Sequence, residues 1–432
     1  MRECRTIRLM KPAVYILAAT VVIPLAVLAT DIEGVQMAAL DQPRVTVMLK
    51  RDAQGKPLAS KGDPAMAQLL GMDKNAAESV TSFAAFLDTG ASGISISEQT
   101  ADGLGIRRLE IGRTRTVFFD VGVGGSAQFN VSEPLHVSVG SYQALGAPAA
   151  DESFQYMGGP WNTQIGPLGG GGLLGALLGG IDVLGMPAMN GRVVILDPKP
   201  VNSFGDVMRA GIFPPDYKSI PQTNRTVRLN YGDFAPFTRT EPANAPRPMM
   251  SANPFIGPPP NGKPGPGGIT LRHNGKTSTA GWLLDTGAAA SMISTRQAAA
   301  IGIRYKAGST TILEGVPANK QFTLTIGGIG GQKQAGGFFV DELRIPTAQG
   351  DDLVYRPAPV LVADISVEHP QTHQKITLDG VFGMNFLVAS AHITEGIAPD
   401  IGKMSQGAYD WIVIDHARGT LGLKLRKELL TK

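Results

Sequence analysis

The chain repeats itself. Residues 88–107, DTGASGISISEQTADGLGIR, and residues 285–304, DTGAAASMISTRQAAAIGIR, lie 197 positions apart and agree at ten of twenty positions without a gap. Each copy is entered by an apolar, strand-like run, Phe83-Ala84-Ala85-Phe86-Leu87 in the first and Trp282-Leu283-Leu284 in the second, and each leaves through a short helical stretch. A second pair of signatures follows, Ile181-Asp182-Val183-Leu184-Gly185-Met186 and Leu378-Asp379-Gly380-Val381-Phe382-Gly383-Met384. The glycine before Met comes 97 residues after the first Asp-Thr-Gly aspartate and 98 after the second. Between these anchors lie two glycine-rich stretches, Val121-Gly122-Val123-Gly124-Gly125 and Ile326-Gly327-Gly328-Ile329-Gly330-Gly331. Beyond them come two β-branched runs, Arg192 to Asp197 and Trp411 to Asp415, that read as buried strands. The period is far longer than a solenoid unit, so the repeat predicts two duplicated domains.

Composition narrows what those domains are. With 54 glycines and 31 prolines, about a fifth of 432 residues, the chain favours many short strands joined by tight turns, and all-β is the expected fold class. Hydrophobic residues at 43% against 17% charged exclude a disordered polyelectrolyte and supply two real cores. The expected organisation is an N-terminal leader over 1–29, a first lobe over 30–220, a Pro/Gly-rich linker or insertion over 221–268, and a second lobe over 269–432. The Gly/Leu stretch 166–180 reads as a loop tucked against the first lobe.

Charge locates the leader. Arg2, Arg5, Arg8 and Lys11 against Glu3 account for the whole net charge of +3, so the body is balanced and gives no footprint for nucleic acid. The apolar run 13–29 after those cations has the layout of a signal peptide cleaved after Ala29; an uncleaved anchor is the alternative, and would be the chain's only membrane contact. The one cysteine, Cys4, falls inside this segment. Export without disulfides points to a bacterial periplasmic or secreted protein.

The paired Asp-Thr-Gly triplets carry the chemistry. Two equivalent strand-to-turn loops meeting across a pseudo-twofold axis bring two carboxylates face to face, and at about 3 Å both cannot ionise, so the pair shares one proton. One Asp is then a base for a water between them, and the other an acid toward a peptide carbonyl. No metal, cofactor or covalent intermediate is needed. The threonine hydroxyl can bond across to the opposite loop, and the glycine permits the bend and presents an amide to the carboxylate.

These residues resemble the aspartic peptidases. Phe86-Leu87-Asp88-Thr89-Gly90-Ala91 and Leu283-Leu284-Asp285-Thr286-Gly287-Ala288 look like the Asp-Thr-Gly-Ala form of retropepsin-like enzymes, and residues 378–387 are similar to that group's second signature. The resemblance spans most of 40–430 and implies a bilobal, pepsin-like all-β fold whose lobes are retropepsin-like β-barrels flanking a cleft. Position by position it implies Asp88 and Asp285 as the catalytic dyad, with Thr89, Gly90, Thr286 and Gly287 as supports. It places the substrate-covering flap at Gly122, Val123 and Gly124, or at Gly328, Ile329 and Gly330; a pepsin-like protein would have one flap rather than two. It further implies a monomer acting on an extended polypeptide. Ala91 and Ala288 stand where pepsins carry hydroxyl donors, which predicts work at mildly acid rather than very low pH.

Other signals fail. Pro370 separates His369 from His373 and no HExxH exists; Gly275-Lys276-Thr277 lacks the rest of a phosphate loop; there is no Gly-x-Ser-x-Gly elbow. Two alternatives to a single-chain peptidase stand: an inactive pepsin-like body that captures peptides or proteins, and tethered half-units that pair with another chain.

Overall fold

The computed structural model describes residues 29–33, 35, 37–39, 42–60, 80–141, 154–166, 181–198, 208–233, 238–260, 267–368, 373–388, 390–392, 400–405 and 407–430. Residues 13–28 of the leader, Cys4, His369 and most of the Gly/Leu stretch, 167–180, lie outside them. The described chain is all-β and two-lobed, with helices of no more than six residues.

The first large sheet runs, in spatial order, through Gln155–Trp161, Leu135–Ser141, Arg44–Lys50, Ser82–Leu87, Val183–Leu184, Ile94–Ile96, Gln164–Ile165, Gly125–Val131, Val117–Gly122 and Arg239–Glu241. Alternation makes it: Val45 and Val47 on one strand, and Leu135, Val137 and Val139 on its neighbour, all turn into the core as a half-buried strand requires. The second sheet runs through Arg209–Phe213, Val193–Asp197, Tyr409–Asp415, Thr420–Leu425, Arg225–Gly232, Asn253–Ile256, Trp282–Leu284, Gly380–Phe382, Met292–Ile293, Ala358–Val362, Gly331–Val340 and Gln321–Gly328.

The repeat reappears as one arrangement built twice. Ser82–Leu87 lies parallel to Val183–Leu184, which is antiparallel to Ile94–Ile96. Trp282–Leu284 lies parallel to Gly380–Phe382, which is antiparallel to Met292–Ile293. A loop thus leaves one strand and returns on the other side of the signature strand, so its tip is clamped from beneath. In both copies the signature Met amide reaches back to the loop, Met186 to the Ala91 carbonyl at 2.9 Å and Met384 to the Ala288 carbonyl at 2.8 Å. A serine caps the helix that follows each loop, Ser97 accepting from the Thr100 amide and Ser294 from the Gln297 amide, both at 3.1 Å.

The expected lobe boundaries are crossed by strand pairing. Val193–Asp197 and Arg209–Phe213, assigned from sequence to the first lobe, share a sheet with Tyr409–Asp415 near the C-terminus. Within 221–268, read as linker or insertion, Arg225–Gly232 and Asn253–Ile256 are strands of the second sheet, while Arg239–Glu241 edges the first. Proline is tolerated there because Pro254 pairs with Tyr231 on one side only, the pairing with Trp282–Leu284 being confined to Phe255 and Ile256.

Candidate active site

Leu87 and Leu284, both fully buried, end the two entering strands and fix where the following loops start. The amide of Asp88 bonds the Leu184 carbonyl and that of Asp285 bonds the Phe382 carbonyl, each at 3.1 Å, so the two aspartates leave their strands in the same pose. The loops then interlock. Thr89 Oγ1 donates to the Leu284 carbonyl at 2.6 Å and accepts from the Thr286 amide at 3.1 Å. Thr286 Oγ1 donates to the Leu87 carbonyl at 2.5 Å and accepts from the Thr89 amide at 3.0 Å. Both threonines are wholly buried, so each hydroxyl satisfies its donor and acceptor capacity on the opposite loop.

That lock brings the two carboxyls together. Asp88 Oδ1 accepts from the amides of Gly90 at 2.7 Å and Ala91 at 3.1 Å, and Asp285 Oδ1 accepts from those of Gly287 and Ala288, both at 2.9 Å. The two carboxyls also act as hydrogen-bond partners of each other. Gly90 lies flat against the Asp285 carboxyl and Gly287 against that of Asp88; a β-carbon on either would overlap the opposite group. Each aspartate keeps a partly exposed edge while protein crowds the carboxyl elsewhere. Burial, then the Asp88 charge, pushes Asp285 well above the ordinary carboxylate range. Burial also raises Asp88, but the bond from Asp285 and the amides of Gly90, Ala91 and Gly287 oppose it. The pair therefore holds a single proton in common, with the upward push stronger on Asp285 than on Asp88.

The glycine-rich stretches form two hairpins rather than one. Val117–Gly122 pairs with Gly125–Val131, and Gln321–Gly328 with Gly331–Val340. Their tips meet: the Gly124 amide donates to the Ile329 carbonyl at 2.8 Å, and Gly330 packs backbone to backbone on Gly124 and Gly125. Glycine is required at that crossing, since Gly330 has φ of 86° and no space for a side chain.

Two supports were not legible beforehand. Asn253 Nδ2 donates to the Thr89 and Gly90 carbonyls at 2.9 and 3.0 Å while its Oδ1 accepts from Ser92 Oγ at 2.5 Å, holding the first loop from behind. Ser291 does the matching work in the second loop, donating to Asn385 Oδ1 at 2.7 Å and accepting from the Gly383 amide at 2.9 Å. Gln42 also reaches across, its side-chain amide on the Gly287 carbonyl. The signal for Asn253 is its place at the head of the apolar Pro254-Phe255-Ile256 run, which the surrounding prolines mask.

Two β lobes each give one Asp-Thr-Gly loop, an arrangement that resembles the aspartic peptidases. Residues 269–386 match the family model described as aspartyl protease, and this supports a peptidase-type function. Among solved structures, the aspartic proteinase from Irpex lacteus is similar at 12% identity and a TM-score of 0.38, over 80% of this chain and 91% of that one. The protein edgp is similar at 12% identity and a TM-score of 0.37, over 90% of this chain and 96% of that one. No curated protein matches the sequence.

Proposed function

We propose that this chain is an exported aspartic endopeptidase, with Asp88 and Asp285 as its catalytic pair. The observation that carries the reading is the lock of reciprocal threonine bonds that sets two aspartates, one from each half, against each other's loop glycine. A water held at the pair gives a proton to ionised Asp88 as its oxygen attacks the peptide carbonyl, while protonated Asp285 gives its proton to the carbonyl oxygen. Collapse of the tetrahedral species then passes a proton to the leaving amine, and the pair again holds one proton. The two hairpins supply backbone edges against which an extended polypeptide can pair.

Four tests bear on it. Asp88→Asn and Asp285→Asn should each lower cleavage of a peptide substrate by about 10³-fold or more, and pepstatin should inhibit the parent protein. Cleavage surviving either substitution would rule out the shared-proton mechanism and favour the peptide-capturing alternative. The pH–rate profile should be bell-shaped. Raised Asp88 must lose its proton for the base to work, so activity rises only above its ordinary 3.8. It falls again where Asp285, held well above that range, finally ionises. An optimum below about pH 3 would contradict this assignment. Activity per molecule independent of dilution would support a single-chain enzyme, and an N-terminus beginning at Thr30 would support export with cleavage after Ala29.

A further inference from the structure

The two hairpins and the strands that join them to the aspartate loops are built alike but packed with opposite chemistry. Contacts at the hairpin tips set the correspondence: Gly122 packs on Ile329 while Gly328 packs on Val123, and Gly124 meets Gly330. Gly122 is therefore the counterpart of Gly328, Val123 of Ile329, and, two residues back on the same inward face, Asp120 of Ile326. The repeat makes Ser95 the counterpart of Met292, both seven residues after the loop aspartate. The strands that pair with those residues make Gln164 the counterpart of Leu361, since Gln164 lies opposite Ser95 and Leu361 opposite Met292 in the same parallel register. Each trio joins hairpin to aspartate loop on its own side.

On the Asp285 side the trio is Met292, Ile326 and Leu361, all in one apolar cluster that also takes in Ala288 and Ala290 of the loop and Val121 and Val123 of the opposite hairpin. On the Asp88 side it is Ser95, Asp120 and Gln164, each less than a tenth exposed. These form a polar chain: Ser95 Oγ donates to Gln164 Oε1 at 3.0 Å, and Gln164 Nε2 donates to Asp120 Oδ2 at 2.8 Å. Gln164 sits directly against Gly93, where a β-carbon would lie 2.8 Å from its Nε2, so the chain runs from hairpin to the loop after Asp88. Among the described residues no cation offsets Asp120; Asp233 nearby adds a second negative charge. Two arginines that pack on the rings of this hairpin are engaged elsewhere, Arg239 on Glu241 and the Phe119 ring, and Arg247 on Thr238 and the Phe118 ring. A carboxylate enclosed in this way is costly until a cation meets it.

We propose that the cleft selects different side chains on its two sides, an apolar one in the Asp285 half and a lysine or arginine, reaching Asp120, in the Asp88 half. The proposal rests on the peptidase reading above and adds the substrate class. A purely structural polar chain would stabilise the first hairpin without favouring any substrate residue.

Cleavage-site profiling of the full chain on a peptide library separates these. The expected profile has lysine or arginine enriched at one position and apolar residues at the symmetry-related position across the scissile bond. Asp120→Asn keeps the shape and a bond to Gln164 but removes the charge. It should lower kcat/KM for peptides with the basic residue by about tenfold or more relative to peptides apolar at both positions, mainly through KM. The triple substitution Ser95→Met, Asp120→Ile, Gln164→Leu should make both positions apolar. Apolar preference on both sides in the parent, or a basic preference untouched by Asp120→Asn, overturns the proposal while leaving cleavage by the Asp pair intact. A parent as silent as Asp88→Asn overturns the peptidase reading and this proposal with it.

Discussion

The floors beneath the two aspartate loops are packed from different material. Under Asp285 lie Trp282, fully buried, and Phe382 stacked on Phe386 at 5.3 Å between ring centroids, with Tyr355 edge-on to Phe386 at 4.8 Å. Under Asp88 the corresponding volume is filled by Leu184, Met186 and Met189, while Phe86 is only partly buried and carries the Arg44 guanidinium 4.7 Å from its ring centre. The backbone bonds of the two loops nevertheless agree to within a few tenths of an ångström. The loop geometry is thus held by hydrogen bonds and glycine contacts that allow no substitute, whereas the floor has only to supply apolar volume.

The sharpest way to break that comparison is at the glycines. Gly90→Ala and Gly287→Ala each thrust a methyl group into the opposite carboxyl, so each should cost cleavage at least ~100-fold, equally from either side, by displacing the pair. Unequal losses would show that the two loops are not mechanically equivalent. Next come the threonines. Thr89→Ala or Thr286→Ala strips two buried bonds and should destabilise by about 2–4 kcal/mol in denaturant titration, with the Ser variant recovering most of it. The smallest effect contrasts the halves away from the site. Glu342 is enclosed by Arg272, Arg344 and Arg356; burial alone would raise it, but hydrogen bonds from the three arginines outweigh that and hold it down to about 2. Glu133 has two such partners, Arg107 and Arg51, and is lowered in the same way against its own burial. A depressed carboxylate stabilises the fold above its unfolded value, 4.5, and loses that contribution as pH falls through the folded value. Glu342→Gln should therefore lower Tm by about 3–6 °C at pH 7, with the gap to the parent closing between pH 4.5 and about 2. Glu133→Gln should give a smaller gap.

These contrasts also explain what could be read in advance. The Asp-Thr-Gly loops were legible because their information is local and doubled: a short triplet, the strand before it and the helical stretch after it lie close together in the chain, twice. The second half kept the full Leu-Asp-Gly-Val-Phe-Gly-Met-Asn-Phe-Leu run, and the family match falls on that half. The glycine-rich hairpins were legible as features but not as partners, because nothing in either stretch states that the two tips bond each other. The role of Asn253 and the strands on either side of it were hidden for a different reason. Their pairing partners lie far away in sequence, so proline content dominated the local reading although tertiary pairing decided the structure. Asp120 escaped notice because an aspartate in a strand, taken alone, has no periodic or motif signature; its meaning emerges only when Ile326 is placed opposite it.

Val193–Asp197 draws a final consequence from its neighbour Tyr409–Asp415. A strand synthesised midway along the chain waits, with one edge unpaired, for residues made more than two hundred positions later. Such long-range closure is intrinsically slow. It also sets a timetable: the sheet that carries Trp282–Leu284, and with it the Asp285 loop, closes at its far end only after Tyr409–Asp415 has been made.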